Sequence, residues 1–178
     1  MTNTRPDARR GFHVESFKAA TDAAGALTGE FEAIVSVFGN VDKGGDRVMP
    51  GAFTDTLAAW KASGDPIPVI WSHMWENPEA HIGSIDPADA SETETGLKVA
   101  GKLDVDKPFA AQVAHLLAAR RVKEFSFGYS VVKGKRTNDG VMELQSLDLF
   151  EVGPTLKGMN PATELLAAKA LAHDLEDN

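Results

Sequence analysis

Residues 122–132 read VKEFSFGYSVV. Phe125, Phe127, Tyr129 and Val131 fall at every second position, and Glu124, Ser126, Gly128 and Ser130 fill the places between them. A period of two marks a strand whose alternate side chains face opposite ways, so the aromatic set predicts the core face. Glycine inside a strand forfeits packing and is tolerated where something must come close to the backbone. Gly128, two places along from Ser126, leaves room beside that hydroxyl. The plain reading of Ser126 is an outward polar residue on a half-buried strand. A functional reading needs partners from elsewhere in the chain.

The flanking sequence predicts more strands. KRTNDG reads as a turn, followed by a last strand through MELQSLDLFEV; upstream, HVESFKA, GEFEAIVSVFG, PVIWSH, HIGSI and TGLKVAGKLDV have strand character. Helical spacing takes over from Ala52 to Ala62, with Phe53, Leu57 and Trp60 about a turn apart. It returns after Asp106 and Pro108, where Phe109, Val113, Leu116 and Leu117 share a face of a helix that should end near Arg121. NPATELLAAKALAHDL predicts a closing helix, packed by Leu165 and Leu166 or serving as a docking or self-cleaved tail. Short strands joined by turns predict an antiparallel barrel, since closure removes exposed strand edges.

A chain of 178 residues with 43% hydrophobic composition suffices for one domain with a real core. Lys+Arg 18 against Asp+Glu 26 leaves a net charge of −8, which argues against a direct nucleic-acid partner. There is no cysteine, so disulfides, thiolate metal sites and a cysteine nucleophile are excluded. No long uncharged apolar run is present, and the expectation is a soluble, cytoplasmic protein with no membrane partner.

A serine hydroxyl becomes nucleophilic when a base takes its proton, and histidine is the usual base near neutral pH. Of the five histidines, His13, His115 and His173 have plain surface readings. His73, at the end of PVIWSH on the face of Val69 and Trp71, should be partly buried, as a satisfied core histidine or as a base. His81, after a Pro-containing loop, should be exposed. An imidazole base is helped by a carboxylate that orients it, and Glu151, on the apolar strand face of Leu147 and Leu149, needs such a partner; Asp148 is its rival. The spacing of His73, Glu76 and His81 matches no ordinary metal site, and Asp42, Gly44 and Asp46 read as a tight turn. No cofactor is expected.

Four segments occur in order: FGNVDKGGDRVMPGAF, VIWSHMWENPEAHIGSI, EFSFGYSV and LFEVGPTLKGMNPATELL. Together they resemble the prohead proteases of tailed phages of the HK97 type, over residues 11–168, with 1–10 and 169–178 expected as flexible ends. The resemblance implies a mainly β fold with flanking helices, a herpesvirus-assemblin-like antiparallel β-barrel. It also implies a serine endopeptidase that cleaves scaffolding protein, or the scaffolding segment of the major capsid protein, inside the immature capsid in the host bacterial cytoplasm, and that commonly processes itself.

Carried across residue by residue, the resemblance implies Ser126 as nucleophile, His73 as base and Glu151 as the third member. Assemblin relatives use a second histidine in that last role, and Gly153 stands where serine is more usual. The aromatic face of the serine strand would then anchor the core, while its small-residue face holds an attackable hydroxyl in an open groove. Arg120 and Arg121, just before the strand, are candidate oxyanion donors beside backbone N–H groups. An assembly role would suit an enzyme that is weak until confined or self-associated as a homo-oligomer. The rival readings are a catalytically inactive scaffold-binding barrel of the same fold and an unrelated barrel enclosing a small ligand.

Overall fold

The computed structural model describes residues 10–13, for their backbone, and 23–156. Nine strands and two helices follow in the order β1 (Arg10–His13), β2 (Glu30–Val37), β3 (Asp46–Val48), α1 (Thr54–Ser63), β4 (Ile67–Ile70), β5 (His81–Ile85), β6 (Ala90–Glu92), β7 (Gly96–Leu103), α2 (Pro108–Ala118), β8 (Glu124–Arg136) and β9 (Met142–Thr155). One sheet runs β1-β8-β9-β4-β5-β7-β2, with β3 added to β9 and β6 to β7. Its pairings are antiparallel except for β3 and β4, which both run parallel to β9. The terminal strands β1 and β2 lie against each other, so the sheet curls into a half-barrel around its apolar face.

The aromatic places of β8 fill that interior. Phe125, Phe127 and Tyr129 are buried. Phe125 packs on Phe31 at 5.1 Å between ring centroids, and Phe127 lies 5.3 Å from Phe53 in an edge-on contact and 5.0 Å from Tyr129. Offset and edge-on rings add specific attraction to the area they bury. Val131 departs from the expected pattern. It is exposed, as is every β8 residue from there to Arg136, although β9 opposite still buries Leu144 and Leu147 and takes β3 on its other edge.

Both helices pack on the sheet, α1 against β9 and α2 against β5 and β7. Thr56 and Trp60 tie α1 to β9: Leu149 N–H donates to Thr56 Oγ1 at 3.0 Å, and Trp60 Nε1 donates to Leu149 O at 2.9 Å. Both carboxylate oxygens of Glu92 accept backbone N–H groups just ahead of α1, from Gly51 at 2.8 Å and Phe53 at 2.7 Å. Gly64, left-handed at φ 73, closes α1. Lys107, not Asp106, caps α2, because Asp104 draws the Lys107 N–H and fixes its extended backbone one residue later. The helix ends at Ala118, and the left-handed Arg120 turns the chain toward β8. Most of HVESFKA and the expected closing helix fall outside the described residues.

Candidate active site

Three elements converge on one point. β8 and β9 are antiparallel, with Ser126 opposite Gly153 and Gly128 opposite Glu151. β4 joins β9 through Val69 and Val152, and so brings the segment after it over the same place. The expected strand through His73 stops at Ile70. Trp71–His73 instead form a single 3-10 turn in which Ser72 (φ 48) and His73 (φ 57) both take left-handed backbone. Such conformations cost non-glycine residues on the order of 1–3 kcal/mol and persist where their surroundings enforce them. Continuing as a strand would have sent alternate side chains to opposite faces, whereas the turn carries the His73 ring back across β8 and β9.

The outcome is a hydrogen-bonded chain of three side chains. His73 Nε2 stands 2.6 Å from Ser126 Oγ, and His73 Nδ1 is hydrogen-bonded to Glu151 Oε1. A carboxylate can only accept from the ring, so Nδ1 carries the proton and the Nε2 lone pair faces the serine hydroxyl. Ser126 is 2% exposed and Glu151 1%. The hydroxyl is therefore recessed beneath its surroundings rather than set in the open groove expected for it. The buried carboxylate has few compensating groups: among the described residues Oε2 has no hydrogen-bond partner, and both of its nitrogen donors meet at Oε1. A buried charge with so few partners draws strongly on each of them.

Glycines make this convergence sterically feasible. A Cβ at Gly128 would stand 2.6 Å from Glu151 Oε1 and 3.0 Å from Trp75 Cζ2. At Gly153 a Cβ would run into the carbonyl oxygen of Ile70, the last residue of β4. The missing side chain at 153, opposite Ser126, therefore has a steric reason: it lets β4 lie against β9 and start the His73 turn.

Asp148, the rival to Glu151, is engaged elsewhere, accepting from Thr56 Oγ1 at 3.4 Å. Arg120 and Arg121 are exposed at the end of α2. His81 is exposed as expected, and its Nε2–H donates to Trp75 O at 3.2 Å. Trp75 itself was not foreseen. Its Nε1–H donates to Glu151 Oε1 at 3.3 Å and its ring meets His73 edge-on at 6.1 Å. The available signal was a tryptophan two residues from the candidate base in an otherwise polar loop, MWENPEA. A cavity of about 670 Å³ opens beside this loop, lined among others by Pro78, His81, Lys107 and Phe109, and none of Ser126, His73 or Glu151 lines it.

Residues 16–176 match a family model described as caudovirus prohead serine protease. The prohead protease of enterobacteria phage HK97 is 34% identical over 110 residues, which cover 61% of this chain and 45% of that protein, so the match spans about half of the relative's length. Among solved structures, the capsid assembly protease of bacteriophage T4 superimposes with a TM-score of 0.61 at 10% identity, covering 84% of this chain and 94% of that one. At that identity the likeness speaks for the fold.

Proposed function

The chain belongs to the caudovirus prohead serine protease family, and from that premise we propose that it is a serine endopeptidase of phage head maturation in which Ser126, His73 and Glu151 act together. Its substrate is scaffolding protein or the scaffolding segment of the major capsid protein, and it also cuts its own chain. It works inside the immature capsid, in the host bacterial cytoplasm, where confinement or self-association raises its effective concentration. The observation that carries this reading is the 2.6 Å contact of Ser126 Oγ with a histidine whose other ring nitrogen is held by a buried carboxylate.

The chemistry follows from those contacts. As Ser126 Oγ attacks a peptide carbonyl, its proton passes to His73 Nε2 and negative charge gathers on the former carbonyl oxygen. Glu151 stabilises the imidazolium that forms. His73 then gives the proton to the departing amine as the C–N bond breaks, leaving an acyl-Ser126 ester. Water, losing a proton to the same Nε2, attacks the ester, and as the C–Oγ bond breaks that proton passes to Ser126 Oγ, releasing the carboxylic acid and restoring the serine. None of these steps calls for a metal or cofactor.

Replacement of Ser126 by Ala should lower scaffold cleavage on the order of 10⁴-fold or more, as removal of a nucleophile does in triad hydrolases. It should also abolish labelling by a serine-directed fluorophosphonate. Cleavage by Ser126→Ala at the wild-type rate would overturn the proposal. Scaffold binding by a wild-type chain that neither cleaves nor labels would favour the inactive scaffold-binding barrel.

A further inference from the structure

The buried Glu151 carboxylate carries two donors on one oxygen. One is His73 Nδ1; the other is the indole N–H of Trp75, at 3.3 Å. The Trp75 side chain reaches in from a loop that has its own closures: Met74 N–H donates to Trp71 O at 3.0 Å, Asn77 N–H to Met74 O at 3.0 Å, and His81 Nε2–H to Trp75 O. The last of these anchors the Trp75 backbone to the first residue of β5. Glycine at 128 lets the indole lie this close, since a Cβ there would stand 3.0 Å from Trp75 Cζ2 and 2.6 Å from Glu151 Oε1. Yet Trp75 is 39% exposed, so the core does not explain its placement.

We propose that Trp75 is a positioning residue: its indole N–H holds the Glu151 carboxylate with Oε1 toward His73, and its ring shields that pair from water. The inference rests on the roles proposed above for Ser126, His73 and Glu151. The physical need is plain. Among the described residues Glu151 Oε2 has no hydrogen-bond partner, so without the indole the carboxylate is held by the His73 contact alone and is freer to rotate about its terminal bond. An acceptor that wanders stabilises the imidazolium less, although the ground-state fit of a peptide is unchanged. The loss should therefore fall on kcat and spare KM. Phenylalanine at 75 keeps an aromatic ring and removes the donor.

The test compares wild type with Trp75→Phe in two measurements. In steady-state cleavage of scaffold, kcat should fall about tenfold with KM nearly unchanged, in line with losing one hydrogen bond to a charged group. In proton NMR of the Ser126→Ala chain, which holds self-cleavage off, the downfield His73 Nδ1 proton should move upfield and exchange faster with water once Trp75→Phe is added. A second variant guards against misfolding: Glu151→Gln should shift one of the three tryptophan indole signals, that of Trp75, well beyond the other two. The proposal fails if the His73 proton is unaffected by Trp75→Phe, if the Trp75 signal ignores Glu151→Gln, or if the activity loss lies in KM alone. An inactive wild type, by contrast, would sink the protease reading and leave the two spectroscopic outcomes to judge Trp75.

Discussion

Ser126 and Glu151 stand on long regular strands, whereas His73 stands on a strained turn three residues past the end of a four-residue strand. The strand-borne pair is placed by sheet register: once β8 and β9 pair, Ser126 and Glu151 are fixed relative to one another, with Phe125, Phe127 and Tyr129 buried beneath. The turn-borne histidine has no such template. It is placed by the approach of β4 to β9 and by two consecutive left-handed residues. A site assembled this way can lose the histidine while keeping its serine and carboxylate in place.

The strongest way to break that asymmetry is Gly153→Ser, which adds a side chain opposite Ser126. A Cβ at 153 meets the Ile70 carbonyl, which is backbone and has no rotamer to escape into. β4 must then move off β9, carrying the His73 turn with it. We expect a stability loss of about 3 kcal/mol, the upper end for overpacking a tight site, measured by urea unfolding. Loss of cleavage should exceed what the fraction unfolded explains. Wild-type activity in Gly153→Ser would show that β4 can shift without moving His73.

Ser72 sharpens the comparison from the side of the turn. Its left-handed backbone costs an L-residue about 1–2 kcal/mol, of which glycine would be relieved, while glycine adds about 0.5–1 kcal/mol of chain entropy to the unfolded state. Ser72→Gly should therefore be neutral to stabilising, by up to about 1.5 kcal/mol, while a β-branched Ser72→Val should cost about 1–2 kcal/mol. Thermal unfolding of the two variants side by side checks both. Equal stability of the two would mean that the turn is not held left-handed in solution.

The same contrast governs what was legible beforehand. Alternation made β8 readable and its aromatic face identifiable, because a period of two follows from backbone geometry alone. Residue types named Ser126, His73 and Glu151 as candidates, and a resemblance over four segments joined them. The 3-10 turn was not legible: PVIWSH has strand character throughout, and the signal that stops it at Ile70 is tertiary, the packing of β4 on Gly153. Trp75 was missed because a lone tryptophan in a polar loop has no period to betray it. The burial of Ser126 was missed because alternation says which face a residue takes and says nothing of what covers that face.

The outer half of β8 gives the finest test of that last point. From Val131 to Arg136 the strand still pairs with β9, through register shifts between Val131 and Lys133 and between Lys133 and Gly134, yet every residue of this stretch is exposed. Val132 is 67% exposed. Strand alternation without a layer to pack on should carry almost no packing energy, so Val132→Thr should change unfolding free energy by less than about 0.5 kcal/mol. Threonine keeps the β-branch and its strand preference, which isolates burial as the variable. A loss above about 1 kcal/mol would mean that this stretch of β8 is covered in solution. Sedimentation of the wild-type chain would then show whether a second copy does the covering, and the burial that distinguishes the two halves of β8 would belong to the assembly instead of the single chain.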